Sequence, residues 1–145
     1  MATVELRFSA LPEHVRTARL VAAAVARRAG VDEAVLDEVR LAVGEACSRA
    51  VGLHQSSGVT APVKVALIEE EKQFSIEVGD EAPHATPTAR VAGGASADAD
   101  VEAEEDEMGL AVISGLVDDV EVSTGEDGGL IRMTWPTTPP PVALV

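Results

Sequence analysis

Tyrosine is absent from this 145-residue sequence, and its aromatic side chains are Phe8, Phe74 and Trp135. So few flat rings leave no row of stacking platforms for unpaired bases, which argues against a reader of single-stranded DNA or RNA. Cys47 is the sole cysteine, so no internal disulfide can form. Basic residues are scarce as well: 11 Lys and Arg stand against 25 Asp and Glu, a net charge of −14. That excess opposes phosphate backbones and anionic membrane surfaces and favours basic protein partners. Neither nucleic acid nor a membrane is an expected partner. The opening MATVELRFSALPE has no basic flank and no apolar run long enough for secretion, and the cytoplasm is the expected compartment. His14, His54 and His84 fall without metal-ligand spacing, so no metal site is expected among them.

What the chain does have is a large share of small apolar residues, 46% hydrophobic overall, enough for one domain with a sizeable core. Val4, Leu6 and Phe8 alternate with Glu5, Arg7 and Ser9 as a half-buried strand would. Pro12 opens a helix in which Leu11, Val15, Ala18, Ala22, Val25 and Ala29 recur at helical steps, and Gly30 ends it. Asp32 is placed to cap a second helix. After a loop expected over 54–62, Val63, Val65 and Leu67 alternate, then Phe74, Ile76 and Val78, across the charged link 69–72. From Glu81 to Glu107 periodicity disappears, and this stretch is expected to act as an acidic, flexible lid. A short helix over 108–117 and two strands through Val120, Val122, Leu130, Ile131, Met133 and Trp135 close the pattern, Gly128 and Gly129 serving their turn. The tail 137–145 is proline-rich and expected to be loose. The order of elements predicts an α+β domain over 1–136, a two-layer sandwich whose mixed, mostly antiparallel sheet carries helices on one face.

The segment LDEVRLAVGEACSRAV, 36–51, is the richest in chemistry. Val39, Ala42, Val43, Ala46, Cys47 and Ala50 form an apolar stripe, while Glu38, Glu45 and Arg49 fall on another face. Glu45 is therefore displayed, and Cys47 reads as a small buried hydrophobe. Arg49 stands four residues after Glu45, the favourable orientation for an exposed ion pair of roughly 0.2–0.5 kcal/mol. The same cation could instead neutralise a phosphate. In either role it compromises Glu45 as a general base, since a nearby cation competes for the carboxylate lone pairs.

With Glu45, Ala46, Ala50 and Val51 in place, this helix resembles the N-box of the Bergerat, histidine-kinase-like ATP-binding fold, in the branch of serine/threonine kinases that act as anti-sigma factors. There the pattern is roughly E-A-x-x-N-A-V, and the asparagine ligates magnesium. Here Arg49 stands at the asparagine position. The resemblance implies that the aspartate of a D-x-G-x-G turn reads the adenine amino group. Asp80 matches it, whereas Ala82 and His84 replace the glycines. If those positions need a positive φ, each side chain costs about 1 kcal/mol or more. The phosphate-binding G-x-G at a helix start aligns with Glu107 and Gly109, which sets a carboxylate where phosphate charge would lie. Seven carboxylates and no basic residue lie between Asp98 and Glu107. Each close like-charge approach to a triphosphate would cost about 1–4 kcal/mol.

The expected cofactor set is therefore none. The leading expectation is a regulatory protein that binds a sigma factor, an anti-anti-sigma factor, or both in turn, as a homodimer like others of the resembled branch. The alternative is an active ATP- and Mg-dependent kinase of its anti-anti-sigma antagonist, with Glu45 as base, Asp80 at adenine and Gly109 at phosphate.

Overall fold

A computed structural model describes residues 2–83, 110–117 and 119–137. Strand β1 spans Ala2–Phe8, helix α1 Pro12–Ala29, a 3-10 turn Glu33–Val35, helix α2 Leu36–Ser57, strand β2 Val63–Glu69 and strand β3 Gln73–Asp80. A short helix α3 (110–116) precedes strands β4 (Asp119–Gly125) and β5 (Gly128–Pro136). The expected lid beyond Pro83, with Glu107, and likewise Gly109 and the tail beyond Thr137, lie outside the described residues.

The five strands form one sheet in the order β1-β2-β3-β5-β4, and each of its pairings is antiparallel. The sheet read from the sequence as mixed has no parallel pair for a topological reason. Strands β3 and β4 run the same way, but the β4–β5 hairpin inserts β5 between them. Strict alternation sorts the two faces. Val63, Val65 and Leu67 on β2, Phe74, Ile76 and Val78 on β3, and Ile131, Met133 and Trp135 on β5 are all buried. Cross-strand neighbours Phe74 and Trp135 stack at 6.4 Å between ring centroids.

Against that face lies α2, through Val39, Val43, Ala46, Cys47 and Ala50, with Ala18, Ala22 and Ala26 of α1 and Ile113 of α3 in the same cluster. Alanine at these contacts keeps the helix axes close to each other and to the sheet. Arg28 near the end of α1 donates from Nε and Nη2 to the Glu69 carboxylate, at 2.9 and 2.7 Å, and so fastens the helix to β2.

Gly30 ends α1 at φ 103°, the left-handed conformation that a side chain disfavours. Asp32 does cap as expected, but it caps the 3-10 turn, its Oδ1 accepting from Ala34 N–H at 3.0 Å. Helix α2 runs beyond the expected loop start at His54, because the next left-handed glycine is Gly58, where Val59 N–H donates to the His54 carbonyl at 2.9 Å. Those extra residues carry His54 into the helix and towards the end of β3. No helix among the described residues is long and apolar enough to cross a membrane.

Candidate nucleotide cleft

The matched box positions meet where α2 passes the end of β3, around the buried carboxylate of Asp80. Arg49 and Glu45 sit one turn apart on α2 but point to different flanks. Glu45 is half-buried and lines an open groove of about 540 Å³ between α1 and α2, in company with Glu13, Arg16, Arg19, Leu41 and Gly44. Arg49 turns towards β3. Its Nη1 lies 3.9 Å from Oδ2 of Asp80, and the side chains of the two residues are 5% and 2% exposed. The ion pair expected within the helix, Glu45 with Arg49, is therefore replaced by one between helix and sheet. The physical reason is burial: an exposed pair of one helix contributes tenths of a kcal/mol, whereas a buried guanidinium and a buried carboxylate each need a counter-charge.

The turn after β3 is held by its own side chains. Asp80 Oδ1 accepts from Ala82 N–H at 3.0 Å, the local bond by which aspartate closes a turn onto its own backbone. Ala82 is fully buried, and no non-glycine among the described residues has a positive φ, so the backbone strain expected there is not present. Across the sheet, Gly128 adopts φ 145° against the same turn, and a Cβ added there would collide with the Asp80 carbonyl. Asp80 is thus fixed from its backbone side by β5 and from its carboxylate side by α2.

His54 completes the arrangement, and sequence spacing gave no hint of it. It is fully buried. Its Nδ1 lies 2.9 Å from the Ala61 carbonyl, and its Nε2 accepts from Glu81 N–H at 2.8 Å. A carbonyl can only accept, so Nδ1 bears the proton, and the ring is a neutral single tautomer. One histidine thereby ties the end of α2 to the loop before β2 and to the turn after β3. Its partners are backbone groups, which leave no trace in residue identity; the nearest signal is its place four residues before the Gly58 cap.

Cys47 lies on the buried side of α2, where desolvation pushes its thiol from 9.0 up to about 12. It is inert packing, as its stripe position predicted. Among the described residues, no group of three or more His, Cys, Asp or Glu could hold a metal ion. In the α1–α2 groove the ionic situation is the reverse of that around Arg49. None of Glu13, Arg16, Arg19 or Glu45 joins an ion pair among the described residues. Leu41 beside them is 56% exposed.

Comparison with known proteins bears on the whole arrangement. In structure, the chain is similar to the RsbU and RsbW domains of Rv1364c from Mycobacterium tuberculosis, with a TM-score of 0.68 and 17% identity over 96% of this chain and 33% of that one. This chain thus spans about a third of the length of that one, and at this identity the likeness speaks to the fold. No curated protein sequence matches it. The family described as histidine kinase-like ATPase domain matches residues 8–135, from the end of β1 to Trp135 in β5. With strands β2 to β4, nearly all of β5, both long helices and the Asp80 turn inside the matched region, the chain belongs to the histidine kinase-like ATPase domain family.

Proposed function

We propose that this protein is an anti-sigma-factor-like regulator that binds a sigma factor, an anti-anti-sigma factor, or both in turn by partner switching, and that nucleotide control of this exchange has weakened or gone. Family membership supports the scaffold, and the N-box resemblance of 45–51 supports the anti-sigma branch. The similarity to a chain containing an RsbW domain agrees with that branch.

The single observation that carries the loss of nucleotide control is the engagement of the Asp80 carboxylate by Arg49 and by the Ala82 amide. ATP and magnesium, which the family implies, do not fit these residues well. The carboxylate assigned to the adenine amino group is already occupied, and a cation stands at the position assigned to a magnesium ligand. Glu107, at a phosphate-box position, adds a charge of the wrong sign for phosphate.

Partner binding would then rest on surface and charge. The α1–α2 groove supports that reading, since among the described residues its arginines and carboxylates join no ion pair and Leu41 stands open beside them. The net charge of −14 favours association with basic transcription factors in the cytoplasm, and pairing into a homodimer follows from the same resemblance.

The competing reading, an ATP-dependent serine/threonine kinase of the anti-anti-sigma factor, draws on Glu45 being retained and displayed. Calorimetric titration with Mg-ATP, paired with co-elution against purified sigma and anti-anti-sigma factors, separates the two. Co-elution without nucleotide, with silence at millimolar Mg-ATP, is the expected result. Micromolar Mg-ATP binding together with phosphate transfer to the anti-anti-sigma factor would install the kinase instead.

A further inference from the structure

We infer that Arg49 is a tethered plug: its guanidinium stands against the Asp80 carboxylate at the end of β3 and excludes planar ligands that present an N–H donor, amino-heterocycles above all. The inference deepens the reading that nucleotide control is lost, and rests on it.

The geometry is restrictive. A ligand N–H donor must come within about 2.7–3.2 Å of a carboxylate oxygen to bond it. Asp80 Oδ2 faces Arg49 Nη1 at 3.9 Å, so a donor atom placed at bonding distance on the line between them would overlap the guanidinium. The other oxygen, Oδ1, accepts from Ala82 N–H at 3.0 Å, inside a turn whose Ala82 is fully buried. Nor can the carboxylate turn away freely. The Asp80 backbone is backed by Gly128 with no room for even a methyl group, and the next amide, Glu81 N–H, is bonded to buried His54 at 2.8 Å. The turn is held from both sides, and the cation beside its carboxylate has the same hydrogen-bonding character as the ligand it displaces: planar, with N–H groups at its edge.

Because the plug is a side chain and the rest of the turn is held independently, a single substitution should open the site. Arg49→Ser removes the guanidinium and leaves a small hydroxyl. The wild-type protein and the variant, each checked for folding by circular dichroism, are titrated with adenosine, which offers an amino group, with inosine, which offers a carbonyl there, and with methylguanidinium.

The expected pattern is silence of the wild type towards all three at millimolar concentration. Arg49→Ser should bind adenosine and methylguanidinium, adenosine at least tenfold more tightly than inosine. Asp80→Asn in the same background should abolish the preference. A folded Arg49→Ser that stays silent overturns the plug while leaving the loss of nucleotide control standing. A wild type that binds adenosine overturns both. Should Arg49→Ser fail to fold, ¹⁵N-arginine spectra of the wild type decide the matter. The Arg49 guanidinium signal, assigned by its disappearance in Arg49→Lys, is expected to show slowed rotation that Asp80→Asn releases. Free rotation in the wild type removes the plug.

Discussion

The two flanks of helix α2 solve opposite problems. Towards β3, the Arg49 side chain is buried beside a carboxylate, and buried His54 is matched to two backbone groups. Towards α1, Glu45 shares an open groove with Glu13, Arg16 and Arg19, and none of the four joins an ion pair among the described residues. A polar group taken out of water must be satisfied by the protein, and once satisfied it has little left to offer a ligand. A polar group left in water keeps its capacity. On the proposed reading, the matched flank is the one where a nucleotide would bind, and the groups still open to a partner lie on the other side of the helix.

The contrast is most directly tested by removing one member of a matched pair. Arg49→Met leaves the Asp80 carboxylate buried without this counter-charge and should lower the unfolding free energy by about 3–5 kcal/mol in urea denaturation. The double variant Arg49→Met, Asp80→Leu should recover much of that loss, because the group left behind is no longer charged. A strictly additive double variant would mean that the two residues do not act as a pair.

His54→Ala comes next. Losing a buried ring together with two hydrogen bonds is expected to cost about 2–4 kcal/mol, and amide exchange at Glu81 should accelerate more than exchange in β1. Equal acceleration everywhere would reduce His54 to general packing.

Raising the pH probes the same buried side through Cys47. Its folded thiol titrates near about 12 against an ordinary 9.0, so above pH 9 the unfolded chain loses a proton that the folded chain retains. Stability contributed by this group is intact below about pH 9 and falls by about 1.4 kcal/mol per unit up to about pH 12. A Cys47→Ala variant should show a shallower alkaline limb in denaturation curves, and the wild-type thiol should resist alkylation until the protein unfolds.

The smallest effects belong to the groove. Arg16→Ala and Glu45→Gln should each change stability by no more than about 0.5 kcal/mol, since neither group has an ionic partner among the described residues. If either proved as costly as Arg49→Met, the distinction between the flanks would be lost.

How far the sequence discloses these features depends on what kind of partner each residue has. Apolar periodicity placed both long helices and all five strands, because side chains of one face meet a common core and must recur at its period. The motif positions Arg49 and Asp80 stood out as departures from, or matches to, a familiar pattern. Their meeting could not be read, since they lie on separate elements and nothing in residue order encodes the distance between α2 and β3. The favoured local alternative, Glu45 with Arg49, obeyed helix spacing but ignored that a buried carboxylate lay on the other flank. His54 was illegible for a further reason: its partners are the Ala61 carbonyl and the Glu81 amide, which any residue would supply. The all-antiparallel sheet likewise depends on where a hairpin inserts, and alternation within strands says nothing of their neighbours.

The position of β5 inside the sheet has a consequence for synthesis on the ribosome. β1, β2 and β3 can zip together as they emerge, yet the free edge of β3, carrying Phe74, Ile76 and Val78, gains its neighbour only when residues 128–136 follow. Throughout that interval the nascent chain presents an apolar, hydrogen-bond-hungry border to solvent. A stalled or truncated product ending at residue 127 should therefore be a client for chaperones and proteases rather than a smaller working version of the protein.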